Sequence, residues 1–429
     1  MPKKPYIPTP VFDTLEDVME QYKAVYVAEQ PHHVILRWLT HCFAHSQADV
    51  PTFAVKDYQM ALIFLYSYRG SSDTFGAYRR DLERLVQWSW FIRQQSFLKH
   101  KREDIEAFIE FCLKPPKHWM GLKKVARFKK VLGEKIPNPE WRPFEAHVSK
   151  KDHKDGVERD KNKYQFSQSA LKALFGILSS FYNYLLQEQA IDANPFSLIR
   201  QKSKFLQREA KTQVIRRLSN EQWETVICVA KKKAAQDPSH ERTVFILSCL
   251  FGMYLRISEL TATPRWTPTM GDFFKDAEGH WWFKTIGKGN KARQIAVSDA
   301  MLGALQHYRE TYLKLSPLPT LNEKTPLIPH LRNPYKPITH DGPIRTLVQN
   351  CFDQAADALE ADGNPEEANG LRVATVHWLR HTGISEDVKR RPREHVRDDA
   401  GHSSGAITDR YIDIELRERA KSAKQKKIS

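Results

Sequence analysis

Apolar residues recur at helical spacing along most of this chain. Leu15, Val18, Met19, Tyr22, Val25 and Tyr26 fall on one helix face, so the first segment, residues 1–51, is predicted to hold an amphipathic helix whose apolar stripe needs a partner. A second stripe, Thr74, Tyr78, Leu82, Leu85 and Trp88, predicts a helix over Ser72–Phe91. Further helical runs cover Arg102–Leu113 and Ser167–Glu188, the last ending before Ile191-Asp192-Ala193-Asn194-Pro195, a helix stop. Between these two runs lies Lys114–Phe166, polar, proline-bearing and longer than a simple loop, which reads as a basic insertion that carries extra DNA contacts or is partly disordered.

The second half has a different pattern. Val244–Leu255 is almost continuously apolar and predicts a buried helix, with Arg256 at its end. Trp281–Ile286 and Gln294–Val297 are strand-like and flank Gly287-Lys288-Gly289, which predicts a β-hairpin. His377 and Arg380, three apart, share one face of a helix. The expected fold is mainly α with a small β-hairpin in its C-terminal part, an α+β domain. The expected organisation is an N-terminal extension (1–51), a helical domain (52–206), a basic linker (207–217) and a second domain (218–429) ending in a charged tail.

Composition narrows the class. A hydrophobic content of 41% over 429 residues suits two or three ordinary cores. Neither a long apolar span nor a signal peptide is expected, since Met1–Pro10 is basic and proline-rich, so the chain is read as soluble. Cys42, Cys112, Cys228, Cys249 and Cys351 stand singly, against a zinc site or a disulfide framework and in keeping with a reducing cytoplasm. A net charge of +16 and a pI near 9.4 favour a polyanionic partner. The charge is clustered: Lys123–Lys135 holds six basic residues against Glu134 alone, and Gln201–Arg217 holds six against Glu209. Lys123, Lys124, Arg127, Lys129, Lys130, Lys202, Lys204, Arg216 and Arg217 are the resulting candidates for contact with a nucleic-acid backbone. A solvated face is the competing explanation of either run, and contact with a nucleic-acid backbone is the favoured one beside residues that can cut a phosphodiester.

Six residues have the chemistry for phosphodiester transfer: Arg256, Lys288, His377, Arg380, His402 and Tyr411. Such transfer needs an in-line nucleophile, cations on the non-bridging oxygens and a proton for the leaving alkoxide. Two arginines can bind one phosphate bidentately and stay charged at any working pH. Tyr411 is a nucleophile once a base or cation favours its phenolate, His377 is the candidate base, Lys288 the candidate acid, and His402 a hydrogen-bond donor to phosphate. Each alone has a blander account: a surface ion pair for Arg256, a solvated turn lysine for Lys288, a packed aromatic for Tyr411. Glu259 reads as the internal partner that orients Arg256, and His381 as structural.

Competing motifs fail on context. Gly401-His402-Ser403-Ser404-Gly405 fits G-x-S-x-G, but the charged stretch Arg393–Asp399 before it cannot be the buried strand that motif follows. Gly287-Lys288-Gly289 lacks phosphate-loop spacing, and His377 with His381 lacks the glutamate of H-E-x-x-H.

Taken in order, Leu255-Arg256-Ile257-Ser258-Glu259-Leu260, Ile286-Gly287-Lys288-Gly289-Asn290-Lys291-Ala292-Arg293, His377-Trp378-Leu379-Arg380-His381-Thr382 and Gly401-His402 followed by Asp409-Arg410-Tyr411-Ile412 resemble the catalytic segments of the tyrosine recombinases, the phage integrase family. The likeness in motifs runs from Arg256 to Tyr411, and a likeness of helical layout to the family's core-binding domain reaches back to about Val55. One departure is Ala400 where the family usually has leucine. The resemblance implies a DNA strand-exchange enzyme that works through a 3′-phosphotyrosine without metal or ATP, as a homotetramer on two double-stranded DNA sites, in the cytoplasm at the nucleoid. The size of the chain and its N-terminal extension lean toward integration, excision or transposition of a mobile element, with an accessory directionality factor as a possible partner. The alternatives are a type IB topoisomerase and a catalytically silent DNA-binding protein of the same fold.

Overall fold

The structure is a computed structural model, and the residues it describes are 5–44, 49–148, 152, 156–202, 205–206, 216–264, 266–287, 291–402, 404–405, 408 and 423–424. The chain divides into two compact units, Met1–Ala210 and Lys211–Ser429, each with its own core.

In the first unit α1 (Leu15–Val27), α2 (Pro31–Phe43), α3 (Ala54–Ser67), α4 (Ser72–Trp88), α5 (Arg102–Leu113), α6 (Gln168–Gln187) and α7 (Pro195–Lys202) enclose one apolar core. Helix starts follow their caps: Thr14, Ser71 and Ser167 each accept a hydrogen bond from a backbone N–H in the first turn. Helix α4 runs on as a single π turn over Ser89–Arg93 and stops at Gln94, which takes φ +54°. The N-terminal segment is part of this core, for Val11, Phe12, Val18 and Val25 are buried in it. Buried Glu83 on α4 holds that segment by accepting from the N–H groups of Val11 (2.7 Å) and Phe12 (3.2 Å), while Gln87 donates to the Thr9 carbonyl at 2.9 Å.

Residues 114–148 are ordered around short strands. β1 (Met120–Gly121) pairs in parallel with β4 (Phe144–Glu145), and β2 (Phe128–Val131) pairs antiparallel with β3 (Glu134–Pro137). The expectation of a partly disordered insertion is corrected for this part: Trp119, Met120, Phe128, Trp141, Phe144 and Ala146 are buried. Their spacing has neither helical nor strand period, so no local pattern announced them.

The first helix of the second unit follows Ser219, which forms a capping box with Gln222. It contains α8 (Asn220–Gln236), α9 (Glu241–Gly252), α10 (Asp299–Tyr308), α11 (Gly342–Ala361), α12 (Pro365–Val373), α13 (Val376–Asp387) and α14 (Arg393–Ala400). A three-stranded antiparallel sheet, β5 (Phe273–Lys275), β6 (Trp281–Gly287) and β7 (Lys291–Ala296), contains the expected hairpin. A further pair, β8 (Pro329–His330) and β9 (Asn333–Pro337), lies between α10 and α11. Helices dominate both units, with the sheets small. Among the described residues no helix is long and apolar enough to cross a membrane.

Candidate active site

Arg256 is placed by a sharp turn rather than by a helix end. Helix α9 stops at Gly252, Tyr254 takes φ +51°, and Arg256 opens a 3-10 turn over Ile257–Glu259. The apolar run therefore does not continue as helix to Leu255. Tyr254 is fully buried, its hydroxyl donates to the Asp387 carboxylate, and it accepts from Arg391 at 3.1 Å, which holds the turn in its left-handed backbone region. Burial first, then the bond to Asp387, pushes this hydroxyl well above the usual tyrosine range and keeps it a donor.

Glu259 is the centre of the next layer. Its carboxylate accepts from the Arg256 backbone N–H at 2.8 Å and from the Arg256 guanidinium at 3.0 Å. Arg293 on β7 grips the same two oxygens bidentately, at 2.7 and 2.8 Å, and donates its Nε to the Asp399 carbonyl at 2.9 Å. Burial opposes the charged form of Glu259, yet the hydrogen bonds and charge of Arg293, with Arg256 behind, hold it below the ordinary glutamate range. Arg256 keeps 27% of its side chain exposed while Glu259 is at 2%. The partner is sealed in, and the arginine faces outward.

The hairpin end is fitted to this pair. A Cβ on Gly287 would meet the Arg293 guanidinium at 2.9 Å, the Glu259 carboxylate at 3.0 Å and the Arg256 guanidinium at 3.5 Å. Gly287 pairs with Lys291 across the hairpin, so the backbone on either side of residues 288–290 is fixed against Arg256.

Arg380 on α13 is nearly fully buried and donates to two backbone carbonyls, those of Tyr254 and Ala400. Ala400 ends α14, and Gly401 caps that helix at φ +64° with Arg293 packed so closely that a side chain there would collide with it. Ala400, Tyr254, Ile384 and Val396 form a small core of their own under the site. His402 follows directly, its Nδ1 2.9 Å from the Thr408 hydroxyl.

The histidines share this positive field. Burial and then the charges of Arg380, Arg256 and Arg293 push His402 down to about 4. Burial, His377, Arg380 and His402 push His381 down to about 3. His377 is lowered too, by partial desolvation of its ring and then by Arg380 and Arg256, and its ring lies edge-on to His381 at 4.3 Å. All three are thus kept neutral in the free protein. Since the unfolded chain binds these protons at higher pH than the folded one, the stability involved is present above about pH 6.5 and is lost as pH falls toward 4. Urea unfolding at steps from pH 7 to pH 4 should show a falling midpoint, and His381→Gln should flatten that slope. An unchanged slope in the variant would contradict the assignment.

Arg256, His377, Arg380 and His402 are brought together, as their mutual electrostatic influence records. Lys288 and Tyr411 lie outside the described residues. Of the basic-run residues, Lys123, Lys124, Lys129, Lys130 and Arg216 are exposed and Arg217 is half-buried, while Lys204 and the Lys202 side chain lie outside the description. Arg127 is a correction. Its guanidinium pairs with buried Glu83, donates to the Phe12 carbonyl at 2.8 Å and covers the Trp141 ring, so it braces the first core. Sequence reasoning missed Arg293, although it stands in the quoted hairpin segment. Its signal was its place opposite buried Thr285 in the strand register. Asp387, Arg391 and Asp399 were missed as well, because charged residues on α13, on α14 and in the turn between them give no sign of their partners.

No protein-family model matches the chain. It is 24% identical over 256 residues to tyrosine recombinase XerC of Pediococcus pentosaceus, covering 58% of this chain and 72% of that one. It is 28% identical over 140 residues to tyrosine recombinase XerC of Chlorobaculum parvum, covering 31% of this chain and 39% of the relative. Its fold resembles the crystal structure of the XerH site-specific recombinase bound to a palindromic difH substrate, with a TM-score of 0.51 and 13% identity over 97% of this chain and 99% of the other. Similarity along most of one recombinase's length and a fold like that of another agree with the resemblance carried by the catalytic segments: in sequence and in fold the chain is similar to the tyrosine recombinases.

Proposed function

We propose that this chain is a site-specific recombinase in which Tyr411 cleaves and rejoins duplex DNA. The Tyr411 oxygen attacks the scissile phosphorus, the bond to the 5′ oxygen breaks, and Lys288 gives that oxygen its proton. The product is a 3′-phosphotyrosine and a free 5′ hydroxyl. One phosphoester replaces another of similar energy, so a 5′ hydroxyl from a partner strand can reverse the step without ATP. Arg256 and Arg380 hold the non-bridging oxygens, His402 donates to one of them, and His377 takes the phenolic proton. The observation that carries this reading is the convergence of Arg256, His377, Arg380 and His402 from three distant segments, with Arg256 partly exposed beside a sealed carboxylate.

Exposed Lys123, Lys124, Lys129, Lys130 and Arg216 suit phosphate contacts, which would make binding salt-sensitive and largely sequence-blind. The helical first unit would then serve as the core-binding domain. Strand exchange needs four protomers on two sites, at the nucleoid, with a mobile element as the natural substrate and a directionality factor as a possible partner. A bound phosphate would favour protonated His402, so DNA binding near pH 5 should take up protons.

The test is covalent capture. Purified protein in EDTA is incubated with supercoiled plasmid carrying the gene's own flanking DNA, and detergent-resistant protein–DNA adducts are collected. Adducts from the parent chain and none from Tyr411→Phe, with equal DNA binding, are expected. Equal adducts in both would refute the mechanism, and binding without adducts in either would favour a silent DNA-binding protein.

A further inference from the structure

One element of the first unit has a residue that its own fold disfavours. Strands β2 and β3 are joined by Leu132-Gly133, with φ +52° at Leu132 and φ +87° at Gly133. Positive φ at both central positions belongs to the type I′ turn, whose first place favours Asn, Asp or Gly. Leucine is strained there. It also buries nothing: Leu132 is fully exposed at 101%, and neighbouring Val131 is 41% exposed.

The base of the hairpin is firmly held. Phe128 packs on Trp38 with ring centroids 5.8 Å apart, the Lys135 carbonyl meets the His41 ring nitrogen at 2.9 Å, and the Lys135 ammonium pairs with Asp13 and with Asp17. Lys129 and Lys130 are exposed, and among the described residues neither pairs with a carboxylate, whereas Glu134 stands across from Val131. A rigid stem therefore presents a bare leucine beside two lysines of one strand that pair with no carboxylate among the described residues. A residue that strains the backbone and gains no burial in the folded chain finds its use in a partner.

We propose that the tip Val131-Leu132 is a wedge for the minor groove of duplex DNA, with Leu132 entered between base steps and Lys129 and Lys130 on the flanking phosphates. Duplex DNA offers apolar base steps bordered by anionic backbones, which matches this tip. A protein partner matches it less well, since one leucine and part of a valine make too small an apolar patch for a stable interface. The inference rests on the DNA reading above and adds to it a bending contact outside the chemistry.

The experiment uses the full chain and a short mixed-sequence duplex with a fluorescent donor and acceptor at its ends, titrated at several salt concentrations. Leu132→Asn suits the turn, so the fold should be as stable as the parent's or more so. It should nonetheless lose roughly tenfold in affinity with the salt dependence unchanged, and the DNA bend should relax. The Lys129→Ala/Lys130→Ala double variant should instead lower the log–log salt slope by about two. Parental affinity and bending in Leu132→Asn would overturn the proposal, as would a change confined to assembly state by light scattering, which would assign the tip to a protein contact. A parent chain that does not bend the duplex overturns it too. Adduct formation by the same variants is scored separately on the supercoiled plasmid, so failure of the cleavage mechanism and failure of the wedge are told apart.

Discussion

Arg293→Met is expected to destabilise the C-terminal unit by about 3–5 kcal/mol, because it leaves Glu259 as a buried and half-paired charge. Arg293 supplies two of the hydrogen bonds to that carboxylate, and the Glu259 side chain is 2% exposed, so water cannot replace them. At a temperature where the variant is still folded, adduct formation should also fall by roughly tenfold or more, since Arg256 loses the support that aims it. The Glu259→Gln/Arg293→Met double variant separates the two effects. It removes the stranded charge and should regain most of the urea midpoint, yet it should stay slow, because Arg256 then lacks its anionic partner. Recovery of both stability and rate in the double variant would mean that Arg293 has no positioning role, and a single variant as stable as the parent would mean that Glu259 is not held as described.

The second large effect is expected at Gly383→Ala. There α13 crosses α9, and a Cβ on Gly383 would overlap the Phe251 backbone carbonyl and stand 3.1 Å from the Tyr254 ring. Neither neighbour can move cheaply: one is main chain, and the other is the buried ring whose hydroxyl is tied to Asp387 and Arg391. A loss of about 3 kcal/mol or more is expected, the upper end of overpacking costs. The control is Gly303→Ala on α10, where nothing lies within 4 Å of the added carbon. That change should raise stability slightly, by about 0.5–1 kcal/mol. Similar melting temperatures for the two variants would refute the close helix crossing.

These cases mark what the sequence could and could not disclose. Arg256, Glu259, His377, Arg380 and His402 were legible because each sits in a short segment whose residue types are tied to one chemistry, and helix periodicity found α1, α4, α5 and α6 for the same reason of local repetition. The internal geometry was not legible. Arg127 lies in a basic run, and nothing in that run reveals that its partner is Glu83 on a helix in another part of the chain. Residues 114–148 bury six large or small apolar side chains without any period, so their packing is set by contacts with distant elements rather than by a local rule. The end of α9 was misjudged because composition continues past Gly252 while the backbone turns at Tyr254, a turn fixed by Asp387 and Arg391 from α13 and beyond.

Arg380 is held by the carbonyls of Tyr254 and Ala400, that is, by the main chain. Every amino acid has such a carbonyl, so the identity of residue 400 is not dictated by the guanidinium it supports. Alanine can stand where relatives of this family usually have leucine, provided Gly401 keeps its left-handed turn and the small core beneath adjusts its volume. Mutational drift is therefore tolerated immediately next to a fixed charge, because the support of that charge is written in the main chain rather than in the neighbouring side chain.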